Sequence, residues 1–188
     1  ITFRRMPSRS TYTCVSEPMY TDVSTFALNS PSPFAPCSTM RIFSGRIEME
    51  HEFPALGAAV RAAGVEKNVR FMGFVPDADL AFLYAGAWAL VEPSLYEGFG
   101  LPVLEAMAAG TPVISSNRGA LPEVAGDAAL LVEPEEGPIV DALGRLAAEE
   151  GLREVLLARG MARIALFDWR RAAEMTVRVY EGAAGEPL

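Results

Sequence analysis

Residues 92 to 114 read "EPSLYEGFGLPVLEAMAAGTPVI", with Glu97 and Glu105 eight positions apart around a Gly-Phe-Gly turn that a proline follows. Pro102 suits the first turn of a helix, because it lacks an N–H that would go unbonded there, and Gly110 suits a helix end. Just upstream, "WALVEPS" is a β-rich apolar run of the kind that fits a strand covered on both faces. Just downstream, "TPVISS" predicts a further strand. The stretch therefore reads as strand, turn, helix, strand, with two acids straddling the point where the helix begins.

Working outward, the same alternation continues. "MRIFSG" reads as a short strand ending at Gly45, and "EFPALGAAVRAAG" carries Phe53, Leu56 and Val60 at helical spacing with Gly64 as its cap. "NVRFMGFV" predicts a strand, and Asp77 the cap of a helix over "ADLAFLYAGA". Beyond the central stretch come a short helix at "LPEVAG" and a last strand at "AALLVEP". From Ile139 the pattern is helical, with Leu143, Leu146, Leu152, Val155 and Leu156 as its core stripe and Asp168 capping a terminal helix. Strand and helix alternating through short loops imply an α/β fold, a Rossmann-like parallel sheet with helices on both faces.

Composition divides the chain. Residues 1–40 hold thirteen Ser and Thr, both cysteines and five of the fourteen prolines, whereas the rest of the chain holds only six Ser and Thr. No period of 2 or 3.6 shows in that opening segment, so it reads as an irregular or disordered arm, with a strand near "YTCVS" as its one candidate. A shifted reading frame ahead of a genuine domain is the alternative. Residues 41–188 form the predicted domain. Because residue 1 is Ile rather than Met, further sequence upstream is expected.

Charge excludes one class of function. The net charge is -8, with a single Lys, Lys67, and fifteen scattered Arg. A duplex nucleic-acid binder needs clustered cations against phosphates, so no nucleic-acid partner is expected. Cys14 and Cys37 lie far apart without a C-x-x-C, which argues against a zinc site or a disulfide framework. No apolar run approaches the ~20 residues that cross a bilayer. The expected setting is the cytoplasm, including the inner face of its membrane.

In an open α/β sheet the ligand lies beyond the carboxyl ends of the strands, where the loop holding Glu97 falls. A helix starting near Leu101 turns unbonded N–H groups and a positive dipole end toward that crevice, a place suited to phosphate. Gly98 and Gly100 let the backbone approach a ligand. Glu105, one turn further in, can accept two hydrogen bonds from a vicinal diol such as a ribose, with Glu97 across the phosphates. One acid for each sugar of a nucleotide diphosphate sugar is the simplest chemical reading. On spacing alone an alternative weighs equally: an acid near a helix start is favourable by about 0.3–1 kcal/mol in any case.

The stretch from Glu97 to Val113 resembles the E-x7-E signature of retaining GT-B glycosyltransferases of the family 4 type, EGFGLPxLEAMAxGxPV, without a mismatch. The similarity extends through "VRFMGFVPDADLAFLYAGA", "ALPEVAGDAALLVEP" and "LFDWRRAAEMTVRVYEG", covering residues 41–182. It implies the donor-binding lobe of such an enzyme, without metal or cofactor. Glu97 would contact the transferred sugar and support charge at the reacting centre. Gly98, Phe99, Gly100 and Leu101 would offer backbone N–H groups to the sugar and diphosphate, Glu105 would hold the ribose, and Gly73, Phe74 and Val75 would line the base pocket. The same signature weighs against an epimerase or phosphorylase of this architecture; a non-catalytic relic is the other alternative.

The resemblance also has gaps. The family clamps the diphosphate with a Gly-Arg followed five residues later by Lys, but after Gly45 and Arg46 this chain has His51, and the spacing to "NVRF" fits a different strand. Two lost donors, at about 1.5–3 kcal/mol each, would weaken binding by roughly two to four decades. The acceptor lobe is absent as well. Little or no transfer by this chain alone is therefore expected, and a bare sheet edge predicts homo-oligomers. Glu123 reads as a dipole partner that could border the same cleft, Asp77 and Asp79 as capping acids rather than metal ligands, and Trp169 and Tyr180 as helix-packing residues.

Overall fold

A computed structural model describes residues 25–29, 39–43, 54–72 and 75–185. Its strands are β1 (Thr25–Asn29), β2 (Thr39–Phe43), β3 (Val69–Phe71), β4 (Ala89–Glu92), β5 (Val113–Ser116) and β6 (Ala129–Val132). Its helices are α1 (Pro54–Ala62), α2 (Asp77–Ala85), α3 (Leu101–Ala108), α4 (Leu121–Ala125), α5 (Glu136–Ala148), α6 (Leu152–Ile164) and α7 (Trp169–Ala184). They form one sheet in the order β3-β2-β1-β4-β5-β6. That is the order of a doubly wound sheet.

The expected parallel pairing holds for β4 with β5, β5 with β6 and β2 with β3. It fails at β1, which is antiparallel to both β2 and β4. Within residues 1–40, the described positions 25–29 and 39–40 are strand rather than irregular, β1 being an inner strand of the sheet; the candidate near "YTCVS" lies outside the described residues.

The central strands follow from their sequence. Every residue of β4 and β5 is buried, as a strand covered on both faces requires. Side chains alternate between faces, so Leu90 and Val113 join a cluster with Val103, Ala106 and Met107 of α3, Leu83 and Tyr84 of α2, and Leu121 and Val124 of α4. Ala89, Val91 and Ile114 face the other way, toward Ala142 and Leu146 of α5 and Leu156 of α6. Truncating a buried Leu or Ile of either layer to Ala costs about 2–5 kcal/mol.

Helix α3 ends as its sequence foretells. Gly110 has φ 75°, its N–H bonds the Met107 carbonyl at 3.1 Å, and Thr111 N–H bonds the Ala106 carbonyl at 2.9 Å. This crossed pair satisfies carbonyls that a helix end would otherwise leave bare. Asp168 caps α7, accepting from the Arg170 N–H at 3.1 Å. Asp77 does not cap α2. Pro76 holds that position, and Asp77 and Asp79 are first-turn acids, where the helix dipole favours them.

Two further expectations fail among the described residues. Val155 of the expected core stripe is exposed, while Leu146 and Leu156 are buried. Trp169 and Tyr180 are 82% and 69% exposed, so the apolar stripe of α7 packs on no described neighbour. The sheet edges are β3 and β6. No helix among the described residues is long and apolar enough to cross a membrane.

Candidate functional site

Strand order reverses between β1 and β4, and the β4–α3 loop leaves β4 at its carboxyl end, where open α/β sheets bind their ligands. That loop is held by two glycines in the left-handed region. Gly100 has φ 97°, and a Cβ there would lie 2.6 Å from Leu121 Cδ2. Gly119 has φ 57°, and a Cβ there would lie 2.9 Å from the Glu97 carbonyl oxygen. Only hydrogen fits at either position, and the Ala120 N–H bonds the Glu97 carbonyl at 3.2 Å. The loops after β4 and β5 are thereby locked backbone to backbone.

Glu97 is half-buried, and the Ser94 hydroxyl lies 2.9 Å from its Oε1. The same hydroxyl lies 2.7 Å from Oε1 of Glu92, at the buried end of β4. A hydroxyl has one proton to donate, so the two carboxyls compete for it. Burial pushes the Glu97 carboxyl above its ordinary range, and the Ser94 hydrogen bond offsets part of that rise. Glu105, in the second turn of α3, is also half-buried and accepts from the Tyr84 hydroxyl at 2.8 Å on Oε2. Neither acid is sealed into the apolar core, and each is oriented by one neutral donor.

Between the acids, Gly98 is exposed, Gly100 is the N-cap of α3 and Leu101 opens the helix, half of its side chain in solvent. The Phe99 ring stands edge-on to Phe167, with centroids 5.9 Å apart at 88°. Phe167 in turn lies under the Arg163 guanidinium at 5.3 Å. Arg163 donates to the carbonyls of Val124, at 2.9 Å, and Glu123, so α6 caps the end of α4 and braces the Gly-Phe-Gly turn through two rings.

The remaining expected site residues divide. Val75 is half-buried and packs against the core beside α2. Gly73, Phe74, Gly45, Arg46 and His51 lie outside the described residues. Glu123 has an exposed side chain, and only its carbonyl is engaged, toward α6. No cluster of three His, Cys, Asp or Glu suited to a metal ion occurs among the described residues. Glu92, Ser94, Tyr84 and Gly119 were not foreseen. A carboxylate inside the apolar run "WALVEPS" was the available signal for the first two, since a buried acid needs a partner.

The profile of the glycosyl transferases group 1 family matches residues 45–162, more than half of the chain. The O-antigen chain mannosyltransferase B of Escherichia coli is 44% identical over 114 residues, which are 60% of this chain and 30% of that protein. Among solved structures, the sucrose-phosphate synthase of Thermosynechococcus elongatus superposes with a TM-score of 0.67 at 30% identity, over 77% of this chain and 38% of that one. The C-terminal domain of a glycosyl transferase group 1 family protein from Francisella tularensis gives 0.55 at 32% identity, covering 65% of each chain. The match thus spans about a third of the full-length relatives, but most of a domain known by itself.

Proposed function

The chain belongs to the glycosyl transferases group 1 family, and on that premise we propose that it is the donor-binding lobe of a retaining glycosyltransferase. Such an enzyme moves a sugar from a nucleotide diphosphate sugar to an acceptor hydroxyl in the cytoplasm. The observation that carries the reading is the unbroken run from Glu97 to Glu105 at the carboxyl end of β4, with both acids half-buried and held by hydroxyl donors.

In this reading Glu97 contacts the transferred sugar and stabilises positive charge developing at its anomeric carbon. The backbone N–H groups of Gly98, Phe99, Gly100 and Leu101 face the sugar and diphosphate, aided by the dipole of α3. Glu105 takes the ribose diol, and Phe74 and Val75 border the base. No protein nucleophile is needed: the acceptor attacks the face from which the nucleotide departs, and the protein supplies position and a preset field.

Calorimetric titration with UDP, GDP and ADP tests the proposal. Binding of at least one of them in the millimolar range or tighter, lost in Glu105→Ala, is the expected result. Silence toward all three would leave a fold without its ligand and end the proposal.

A further inference from the structure

Glu105 is held by an unusually well-anchored partner. Tyr84 lies in the last turn of α2 with its ring in the core, only 2% exposed. Its carbonyl accepts from the Ala87 N–H at 2.8 Å and from the Thr111 hydroxyl, which lies just past α3. Both ends of the residue are therefore fixed before its hydroxyl reaches Glu105 Oε2 at 2.8 Å. Glu105 accepts no other hydrogen bond among the described residues. A glutamate has three rotatable bonds and would otherwise sample several rotamers at a half-buried surface.

Building on the donor-site reading, we propose that Tyr84 is a positioning residue for Glu105 and makes the site prefer a ribonucleotide over its 2′-deoxy counterpart. An ionised carboxylate has about four acceptor positions, and the phenol takes one on Oε2. A hydrogen bond to a charged acceptor is short and directional, so it sets the plane of the whole carboxylate. The other oxygen and the second lone pair of Oε2 then keep a fixed bearing toward a vicinal diol. A fixed acceptor discriminates sharply, because a sugar lacking one hydroxyl leaves it desolvated and unpaired. A carboxylate free to turn follows whichever hydroxyl remains or swings back into water. Without Tyr84 the affinity falls moderately, and the preference falls with it.

The test titrates the whole chain by calorimetry with the tightest-binding of UDP, GDP and ADP, then with its 2′-deoxy counterpart, in parent and Tyr84→Phe proteins. Phenylalanine keeps the buried ring and removes only the hydroxyl. The parent should prefer the ribonucleotide by about tenfold or more, the scale of one hydrogen bond to a charged group. In Tyr84→Phe that ratio should shrink to about threefold or less, a change that a purely structural tether between α2 and α3 would not produce. If Tyr84→Phe does not fold, 19F NMR of the 3-fluorotyrosine-labelled parent decides. The Tyr84 resonance should move on adding the ribonucleotide and much less with the 2′-deoxy form. An equal response to both, or a ratio unchanged in Tyr84→Phe, overturns this inference alone. Failure of the parent to bind any nucleotide overturns the donor-site reading together with it.

Discussion

Replacing Gly100 by alanine tests how the β4–α3 loop is held. The residue sits at φ 97°, outside the narrow left-handed well that other L-residues reach, and this strain alone costs about 1–3 kcal/mol. The new Cβ would also lie 2.6 Å from Leu121 Cδ2, in a side chain with no exposed surface. Leu121 must turn within a packed layer, an overpacking cost of about 1–3 kcal/mol. Together the two effects predict a loss of about 2–6 kcal/mol, or about 4–24 °C in Tm for a domain of this size. Gly98→Ala is the control. It stands two residues away with nothing within 4 Å of its added Cβ, and should stay within about 0.5 kcal/mol of the parent. Adding Leu121→Ala to Gly100→Ala should recover the packing share and show a coupling of about 1–3 kcal/mol, the backbone share remaining. Urea denaturation followed by circular dichroism measures all five proteins: the parent, the three single variants including Leu121→Ala, and the double variant. Equal stability of Gly100→Ala and Gly98→Ala, or additive effects in the double variant, would refute the steric account.

Two other expectations are measurable. Burial raises the Glu97 carboxyl above its ordinary value of 4.5, so the folded state binds that proton more tightly than the unfolded chain. This contribution to stability is present in acid and is lost as pH rises through the raised value. Glu97→Gln, which cannot titrate there, should gain stability relative to the parent from pH 4 to 7, and parallel curves would contradict the assignment. The apolar stripe of α7 and the open edges at β3 and β6 should drive self-association, read by light scattering as a mass above one chain; a monomer at high concentration would count against it.

The sequence made the centre of the fold legible because its signals there are local. "WALVEPS" and "TPVISS" are apolar runs bounded by turn residues, and Pro102 and Gly110 mark the ends of the helix between them. Strand β1 gave no such signal: its partners lie in β2 and β4, and a short stretch in a Ser- and Thr-rich segment has no periodicity to betray them. The stripe of α7 was legible, but a stripe states only that something can cover it. Glu97 and Glu105 stood out by pattern and family likeness. Their partners did not, since Tyr84 meets Glu105 across 21 positions and Gly119 meets Glu97 across two loops, contacts that only the packing of helices on a sheet creates.

The reversed strand also bears on how the chain reaches this shape. Three residue pairs, Phe26 with Val91, Ala27 with Leu90 and Leu28 with Ala89, stitch the half-sheet of β1 to β3 onto the half-sheet of β4 to β6. Each joins positions more than sixty residues apart, whereas β4, β5 and β6 follow one another through single short crossovers. Loop closure therefore favours assembly of the acid-bearing half first, with β1 arriving late, and the junction between halves is where the sheet would open first under stress.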